Sequence, residues 1–436
     1  MCSHPQSTVS DAPAPARSER GRAEPAFGSG ARERFPAALA FRQTVLLLAL
    51  LEAAATGASA QHAPTLSYGE PADVGMSAAV LDGAVGLYEE AVERGDLVGA
   101  VLLVARRGRI VLHEAVGFRD EENGLPMERN TLFRMASNTK PLVATAIAQL
   151  VEEGELQYSD LVREHIPAWD NYRAGFVTIG HLLSHSGGLR IPTLFLDPLM
   201  SPSSQHPDAP TLQLEVARFG EIGAVVPPGD TYSYNNPGYN TLAALVEIAS
   251  GKLLEDYLMT AVYGPLGMDE SYNHRTGHPV DGKLDRMGAV YYTRGEDGDW
   301  MPGGTPGGPT AFPFARGSGG MISTAWDYAI FCQAFLNGGV YDGERILDEA
   351  TVDLMTSPKI HVAGEGDDAT YYGYGWSLTD GTYGHTGSDG TAAWIDPERE
   401  IIGLVFTQTP RGPNPRERFR YLVNLSIEEG SSPTEG

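Results

Sequence analysis

Cysteine and positive charge are both scarce in this chain of 436 residues. The cysteines are Cys2 and Cys332, and Cys2 lies in a segment that we expect to be removed, so no intrachain disulfide is expected in the mature protein. With 31 Lys and Arg against 56 Asp and Glu, the formal net charge is -25. A field of that sign repels phosphate backbones and anionic membrane surfaces, so nucleic acid is not an expected partner.

The N-terminal region has no apolar run long enough to span a bilayer. Residues 45–51, after Arg42, are continuously apolar but too short to cross the membrane. Together with the small residues Ala58-Ser59-Ala60 they form the pattern of a secretory signal peptide. We therefore predict an N-terminal extension and signal peptide over residues 1–60 and a periplasmic or secreted protein without stable membrane insertion. A membrane-tethering tail and a true start site downstream of Met1 are the alternatives.

Two common hydrolase signatures are absent. No serine lies in a Gly-x-Ser-x-Gly motif, which excludes the α/β-hydrolase class. His181 and His185 have a spacing that zinc sites also use, but no Glu lies between them and no third ligand suggests itself. We expect these histidines to pack a helix or anchor a loop, and no metal or cofactor is implied.

Hydrophobic periodicity predicts helices and strands in an order that suggests one large sheet. Predicted helices cover residues 81–92, 142–151, 242–248, 253–262, 326–336 and 418–427, and predicted strands cover 97–105, 110–116, 374–378, 392–395 and 401–407. This order predicts an α/β (α+β) fold, in which an antiparallel sheet of N- and C-terminal strands is flanked by helices and carries a mainly helical insertion.

One domain is expected over residues 61–436. Its α/β part covers about 66–135 and 314–430, and its helical part covers about 136–313. A long loop is predicted over 302–313, because this stretch is rich in glycine and proline. Cys332 lies in an apolar helical pattern and is expected to be buried.

The first candidate motif is Ser137-Asn138-Thr139-Lys140, which opens an apolar helix. A serine at a helix start is usually only an N-cap. Here a lysine follows three residues later, and residues at that spacing share a helix face, so the amine is expected near the hydroxyl. A desolvated amine can take the proton of a hydroxyl and make it a nucleophile.

Two further motifs follow along the chain. Tyr234-Asn235-Asn236 precedes a predicted helix and offers a phenol and an amide from one turn. His385-Thr386-Gly387-Ser388 is predicted at an edge strand, where Gly387 would let a substrate lie against the backbone. Taken singly, Tyr234 is more typical of a packed loop aromatic and residues 385–388 of a turn.

In this order the three motifs resemble the Ser-x-x-Lys, Tyr-x-Asn and Lys/His-Thr-Gly motifs of serine β-lactamases, penicillin-binding proteins and family VIII carboxylesterases. Residues 182–189 and 317–324 resemble the same proteins, so the resemblance covers roughly residues 66–430. It implies a β-lactamase/transpeptidase-like fold. The Tyr-x-Asn turn is similar to class C β-lactamases, DD-peptidases and esterases rather than to class A β-lactamases.

The resemblance also implies roles for individual residues. Ser137 would attack a carbonyl, and Lys140 and Tyr234 would share the proton transfers. Which of these two groups is the resting base stays open, because a tyrosine acts as a base only where a nearby cation stabilises its anion. Asn236 would orient the substrate and Lys140. The backbone N–H groups of Ser137 and Ser388 would bind the oxyanion.

Substrate contacts are implied by the remaining motif residues, His385, Thr386, Gly387 and Ser388. His385 stands where many relatives have lysine, so a constant positive charge is replaced by one that is expected to titrate near pH 6.5. This disfavours avid binding of acidic β-lactams or peptides. Arg316 is a candidate for the missing anion contact, although an exposed arginine is more often solvated.

The implied activity is cleavage of ester or amide bonds in small acyl substrates by an exported serine hydrolase. A β-lactamase, a D-Ala-D-Ala carboxypeptidase and a D-aminopeptidase are the alternatives, because these activities differ in pocket shape and in how water reaches the acyl-enzyme. A catalytically silent binding protein on the same fold is the alternative of another class. The oligomeric state stays open.

Overall fold

The computed structural model describes residues 63–275, 283–303 and 312–428. The predicted signal peptide and most of the predicted loop at 302–313 lie outside the described residues. Cys332 is buried, as predicted, and it is a free thiol. Among the described helices, none combines the length and the hydropathy that a membrane span needs.

A ten-stranded sheet dominates the described chain, and three small sheets accompany it. The strands are β1 (Ser67–Tyr68), β2 (Gly99–Arg106), β3 (Arg109–Asp120), β4 (Leu125–Pro126), β5 (Phe133–Arg134), β6 (Tyr272–Asn273), β7 (Tyr291–Arg294), β8 (Trp300–Pro302), β9 (Met321–Ser323), β10 (Val340–Tyr341), β11 (Glu344–Arg345), β12 (Ile360–Ala363), β13 (Thr370–Tyr372), β14 (Ser377–Thr379), β15 (Thr382–Thr386), β16 (Thr391–Asp396) and β17 (Ile401–Thr407). The large sheet has the order β1-β3-β2-β17-β16-β15-β14-β13-β12, and β4 pairs with β3. The N- and C-terminal strands therefore meet where β2 pairs with β17, as predicted.

The sheet is mixed rather than purely antiparallel. β1 pairs with β3 in parallel, so that Ser67 lies opposite Arg109 and Tyr68 opposite Ile110. The other described pairings of the large sheet are antiparallel. A helix and β2 separate β1 from β3, so no tight turn forces the two strands to run in opposite directions.

Helices occupy both the middle and the ends of the described chain. They are α1 (Ala78–Glu93), α2 (Lys140–Glu152), α3 (Val162–His165), α4 (Ile179–Leu183), α5 (Leu212–Ile222), α6 (Asn236–Ser250), α7 (Leu254–Leu258), α8 (Gly264–Leu266), α9 (Ala325–Leu336), α10 (Glu349–Met355) and α11 (Arg416–Leu425). The helix predicted over 253–262 ends at Leu258 and continues as a π-helical turn, Met259–Tyr263. The middle region is mainly helical, but it also contains the short strands β6, β7 and β8.

Strand β2 contributes to two hydrophobic cores, because all its residues are buried. Val101 and Leu103 face the core shared with the helical region. Leu102 and Val104 point the other way, into the core under α1 and α11. A strand covered on both faces has no polar side, which is why its sequence is a continuous apolar run rather than an alternating one.

Candidate active site

Ser137 and Lys140 meet where the chain leaves β5 and enters α2. Ser137 lies in a 3₁₀ turn, Ala136–Thr139, and Lys140 is the first residue of α2. Ala136 has a φ of 44°, which is uncommon for a residue with a Cβ, and strained backbone of this kind often accompanies functional sites. The Nζ of Lys140 lies 2.8 Å from the Oγ of Ser137. The three-residue spacing thus brings amine and hydroxyl together.

Lys140 is fully buried among uncharged hydrogen-bond partners. Its exposed fraction is 0%. Besides Ser137, its Nζ lies 3.0 Å from Asn236 Oδ1 and 2.9 Å from the carbonyl oxygen of Ser318. Burial lowers the pKa of Lys140 well below its ordinary value, and the positive charge of Arg316 lowers this pKa further. The site therefore favours the neutral amine.

The Tyr234-Asn235-Asn236 turn places the ring of Tyr234 and the amide of Asn236 beside the Lys140 amine. Asn235 caps α6, because its Oδ1 accepts a hydrogen bond from the N–H of Gly238 at 3.1 Å. The ring of Tyr234 is 41% exposed, and its centroid lies 4.7 Å from Lys140 Nζ. Burial raises the pKa of the Tyr234 phenol, and a hydrogen bond with Ser137 lowers it in part. The phenol therefore favours its protonated form.

The strand that carries His385 and Thr386 differs from the predicted edge strand. β15 lies inside the large sheet, between β14 and β16. Its pairing with β14 stops at Gly384, opposite Ser377, so the last two residues of β15 extend beyond β14. The prediction of an edge strand was wrong for β15 as a whole, because sequence periodicity does not show how far a neighbouring strand extends.

Gly387 is required by the protein itself. A Cβ at this position would overlap the carbonyl oxygen of Met135 and the hydroxyl of Thr391. The side-chain amide of Asn138 lies 2.8 Å from this Thr391 hydroxyl. Packing against Met135 and Thr391 therefore explains the glycine, and room for a substrate at this position stays a prediction.

His385 is a buried, neutral imidazole, in contrast to the expected titration near pH 6.5. Its Nδ1 lies 2.9 Å from the carbonyl oxygen of Thr386 and must donate to it, so its Nε2 accepts from the hydroxyl of Tyr372 at 3.0 Å. Burial lowers the pKa of His385 to about 3, and any positive charge on Lys140 would lower this pKa further. The motif thus offers a polar but uncharged group.

We expect the His385 ring to stay neutral between about pH 5 and about pH 8, because protonation would place a charge in a buried site beside Lys140. NMR titration of histidine-labelled protein measures this, with the ring signal assigned by its loss in His385→Gln. A protonation midpoint near 6.5, the value of an unperturbed histidine, would contradict the neutral assignment.

The backbone N–H groups of Ser137 and Ser388 were predicted to bind an oxyanion. Within the described part of the chain, neither the N–H of Ser137 nor the N–H of Ser388 has a hydrogen-bond partner. Ser388 is exposed, and its hydroxyl lies 3.4 Å from Asp389 Oδ1. Both N–H groups are therefore unused by the described protein, and their role in binding an oxyanion stays a prediction.

Arg316 is half-buried rather than solvated. Its guanidinium carbon lies 5.0 Å from the centroid of the Phe312 ring. Its Nε is buried and has no hydrogen-bond partner among the described residues. Burial lowers the pKa of Arg316, and the carboxylate of Asp389 opposes this effect. The side chain is therefore held near the site.

A cleft of ≈ 290 Å³ borders the site. Its lining includes Tyr234, His385 and Thr386 from the motifs, and Arg416 and Arg420 from α11. The cleft therefore contacts the motif residues Tyr234, His385 and Thr386.

Sequence reasoning missed several contacts. The carbonyl oxygen of Ser318 is a backbone group, so the residue type at this position does not predict its contact with Lys140. The sequence indicates only that residues 317–324 share the resemblance. Tyr372 lies outside the three motifs, 13 residues before His385, and no sequence pattern connects the two. Among the described residues, no group of three or more His, Cys, Asp or Glu side chains is placed to hold a metal ion.

Comparisons with known proteins show the family of this chain. Residues 85–426 match the Beta-lactamase family. The chain is 31% identical to Penicillin-binding protein 4 of Amycolatopsis lactamdurans, over 67% of this chain and 75% of that protein. It is 27% identical to N-acetylmuramyl-L-alanine amidase of Bacillus subtilis, over 76% and 82%.

A solved structure supports the fold. It is EstCE1, a hydrolase with promiscuous acyltransferase activity, with a TM-score of 0.66 and 22% identity over 82% of this chain and 99% of that chain. Because the match to the family covers most of the sequence, this protein belongs to the Beta-lactamase family and is an enzyme of the serine hydrolase type.

Proposed function

We propose that this protein is an exported serine hydrolase that cleaves ester or amide bonds of small acyl substrates through an acyl-enzyme on Ser137. The observation that carries the proposal is the set of three uncharged neighbours around the Lys140 amine. A neutral amine has two N–H donors and one lone pair. The carbonyl oxygen of Ser318 and Oδ1 of Asn236 can only accept, so they take both donors. The lone pair is left for the hydroxyl of Ser137.

This arrangement makes Lys140 the resting base. Its lowered pKa favours the amine, and the raised pKa of Tyr234 favours the phenol rather than the phenolate. The hydroxyl of Ser137 would then donate its hydrogen bond to the Lys140 amine. Tyr234 would relay the proton to the leaving group.

In the proposed first step, Oγ of Ser137 bonds to the substrate carbonyl carbon while its proton passes to Lys140. The negative carbonyl oxygen would be held by the N–H groups of Ser137 and Ser388. The bond to the leaving alcohol or amine then breaks, and Tyr234 donates a proton to that leaving group. Lys140 in turn gives its proton to Tyr234. A water molecule then attacks the ester carbonyl of the acyl-enzyme. Its proton passes through the same two side chains to the Oγ of Ser137, and the acid is released.

The remaining motif residues are proposed to position the substrate. Asn236 would hold Lys140 and contact the acyl side chain, and His385, Thr386 and Gly387 would form the wall on which the acyl group lies. His385 adds no positive charge to this wall, because it is neutral. Arg316 is the proposed contact for an anionic substituent.

Small neutral esters are the substrates that this site favours. His385 gives a substrate carboxylate no charged partner beside Thr386, because its ring is neutral. The cations that line the same cleft, Arg416 and Arg420, belong to α11. A peptidase, amidase or β-lactamase activity is the second candidate, because the relatives include a penicillin-binding protein and an amidase. A silent binding protein is disfavoured because Ser137, Lys140 and Tyr234 are all in contact.

A substrate panel tests the proposal. We expect a short-chain p-nitrophenyl ester to be turned over faster than a fluorescent penicillin or a D-Ala-D-Ala peptide. Relative kcat/KM values measure this preference, and Ser137→Ala is the control for each substrate. Faster turnover of the peptide or penicillin would replace the esterase assignment, and no turnover of any of the three would support the silent binding protein.

Export and the domain limits also belong to the proposal. The apolar run at 45–51 and the small residues at 58–60 support cleavage after Ala60, which would leave the hydrolase domain of residues 61–436 in the periplasm or medium.

A further inference from the structure

His185 holds the backbone on both sides of Tyr234. It lies in the turn after α4, is 2% exposed and has a φ of 58°, a conformation that His and Asn adopt more readily than most residues. Its carbonyl oxygen accepts from the N–H of Ser233 at 2.8 Å. Its Nδ1 accepts from the N–H of Asn235 at 3.1 Å. One residue therefore satisfies the two backbone donors that flank the tyrosine.

The imidazole ring also packs against the phenol. The ring centroids of His185 and Tyr234 are 4.2 Å apart. Behind the imidazole lie the buried rings of Tyr239 and Tyr372, at 4.9 Å and 4.8 Å. The phenol is thus held between this aromatic group and Lys140, whose Nζ lies 4.7 Å from its ring centroid.

The choice of histidine at this position has a physical reason. Because Nδ1 accepts a hydrogen bond, the ring proton is on Nε2, and Nε2 is buried without a hydrogen-bond partner among the described residues. A phenylalanine would fill a similar volume and avoid this unpaired donor. What phenylalanine lacks is the acceptor for Asn235. Burial lowers the pKa of His185 well below its ordinary value, which favours the neutral ring, and any positive charge on Lys140 or His385 would lower this pKa further.

We propose that His185 is a positioning residue for Tyr234: its carbonyl and Nδ1 fix the turn that carries the tyrosine, and its ring fixes the phenol beside Ser137 and Lys140. It takes no proton itself. The inference rests on the proposed function, in which Tyr234 transfers a proton.

A double-mutant cycle tests the inference on the full chain with a p-nitrophenyl ester. His185→Gly removes the ring and the acceptor and suits the positive φ, whereas His185→Asn keeps an acceptor near the position of Nδ1. Each is made alone and together with Tyr234→Phe, and His361→Ala at the exposed strand β12 is the matched control. Thermal melting confirms folding, and His185→Phe replaces the glycine variant if that variant does not fold.

We expect His185→Gly to lower kcat by about 10- to 100-fold with KM changed by less than about threefold, because a misplaced phenol impairs proton transfer more than binding. His185→Asn should recover most of the loss. In the Tyr234→Phe background the same change should cost less than about threefold, because the group that it positions is gone.

Different results would contradict the positioning role of His185 and the proton-transfer role of Tyr234. Equal losses with and without the Tyr234 hydroxyl, or no loss at all, would overturn the positioning role. A kcat profile of His185→Asn that has lost its acid limb would show that His185 itself exchanges a proton, which also overturns it. If Tyr234→Phe alone leaves kcat unchanged, the proposed role of Tyr234 fails instead.

Discussion

Ser137→Ala is expected to lower kcat/KM for a p-nitrophenyl ester by on the order of 10⁴-fold or more, because the acyl-enzyme route needs the Oγ nucleophile. Folding should be nearly unchanged. Ser137 is half-buried, and the substitution removes one hydroxyl whose hydrogen-bond partner is Lys140. Initial rates measure the loss, and the protein concentration is determined by a method that does not depend on the active site. Thermal melting checks the fold.

Ser388→Ala is the matched control for that substitution. Its hydroxyl is exposed, and the proposed oxyanion contact uses its backbone N–H, which alanine retains. We expect kcat/KM to stay within about threefold of wild type. If Ser137→Ala keeps as much activity as Ser388→Ala, catalysis does not pass through Ser137.

Lys140→Met is expected to lower kcat by on the order of 10³-fold, within the range that a positioned general base contributes. Methionine has a similar length and no charge, so it fills the buried space without supplying a base. The acid limb of the wild-type rate should follow the lowered pKa of Lys140, so activity rises with pH as the amine loses its proton. Rate profiles of wild type and variant measure both effects.

The same variant tests the charge state through stability. Because the pKa of Lys140 is lower in the folded protein than in the unfolded chain, the unfolded chain binds more protons between these two values. Wild-type stability relative to Lys140→Met should therefore rise with pH in this window, by up to about 1.4 kcal/mol per pH unit. A melting-temperature difference that is independent of pH would mean that folded Lys140 keeps its proton, which would move the base role to Tyr234.

The contact between Ser137 and Lys140 could be predicted because it is local. Three residues along a helical turn bring two side chains to one face whatever the rest of the protein does. The position of Tyr234 beside them required the resemblance, since Tyr234 lies far from Ser137 in sequence and no periodicity connects the two. The large sheet was predictable from a different signal, because β2 and β17 are strongly apolar strands at opposite ends of the chain.

The charge state of His385 could not be predicted, because it depends on groups that only the fold brings together. Tyr372 donates to its Nε2, and the surrounding protein excludes water from the ring. The role of His185 also depends on contacts that only the fold brings together. The sequence predicted that this residue packs a helix or anchors a loop, but it did not indicate which loop. The parallel pairing of β1 was missed because a two-residue strand has too few side chains to show a direction.

The acyl-enzyme claim is tested most directly by trapping the nucleophile. The protein is treated with a fluorophosphonate, which forms a stable Oγ–P bond with an activated serine and releases fluoride, and intact mass and peptide mapping then locate the adduct. We predict one adduct per chain, on Ser137, none on Ser137→Ala, and loss of ester turnover in proportion to labelling. Full ester turnover in protein that carries the Ser137 adduct, or an adduct on another serine that accounts for the lost activity, would contradict the account.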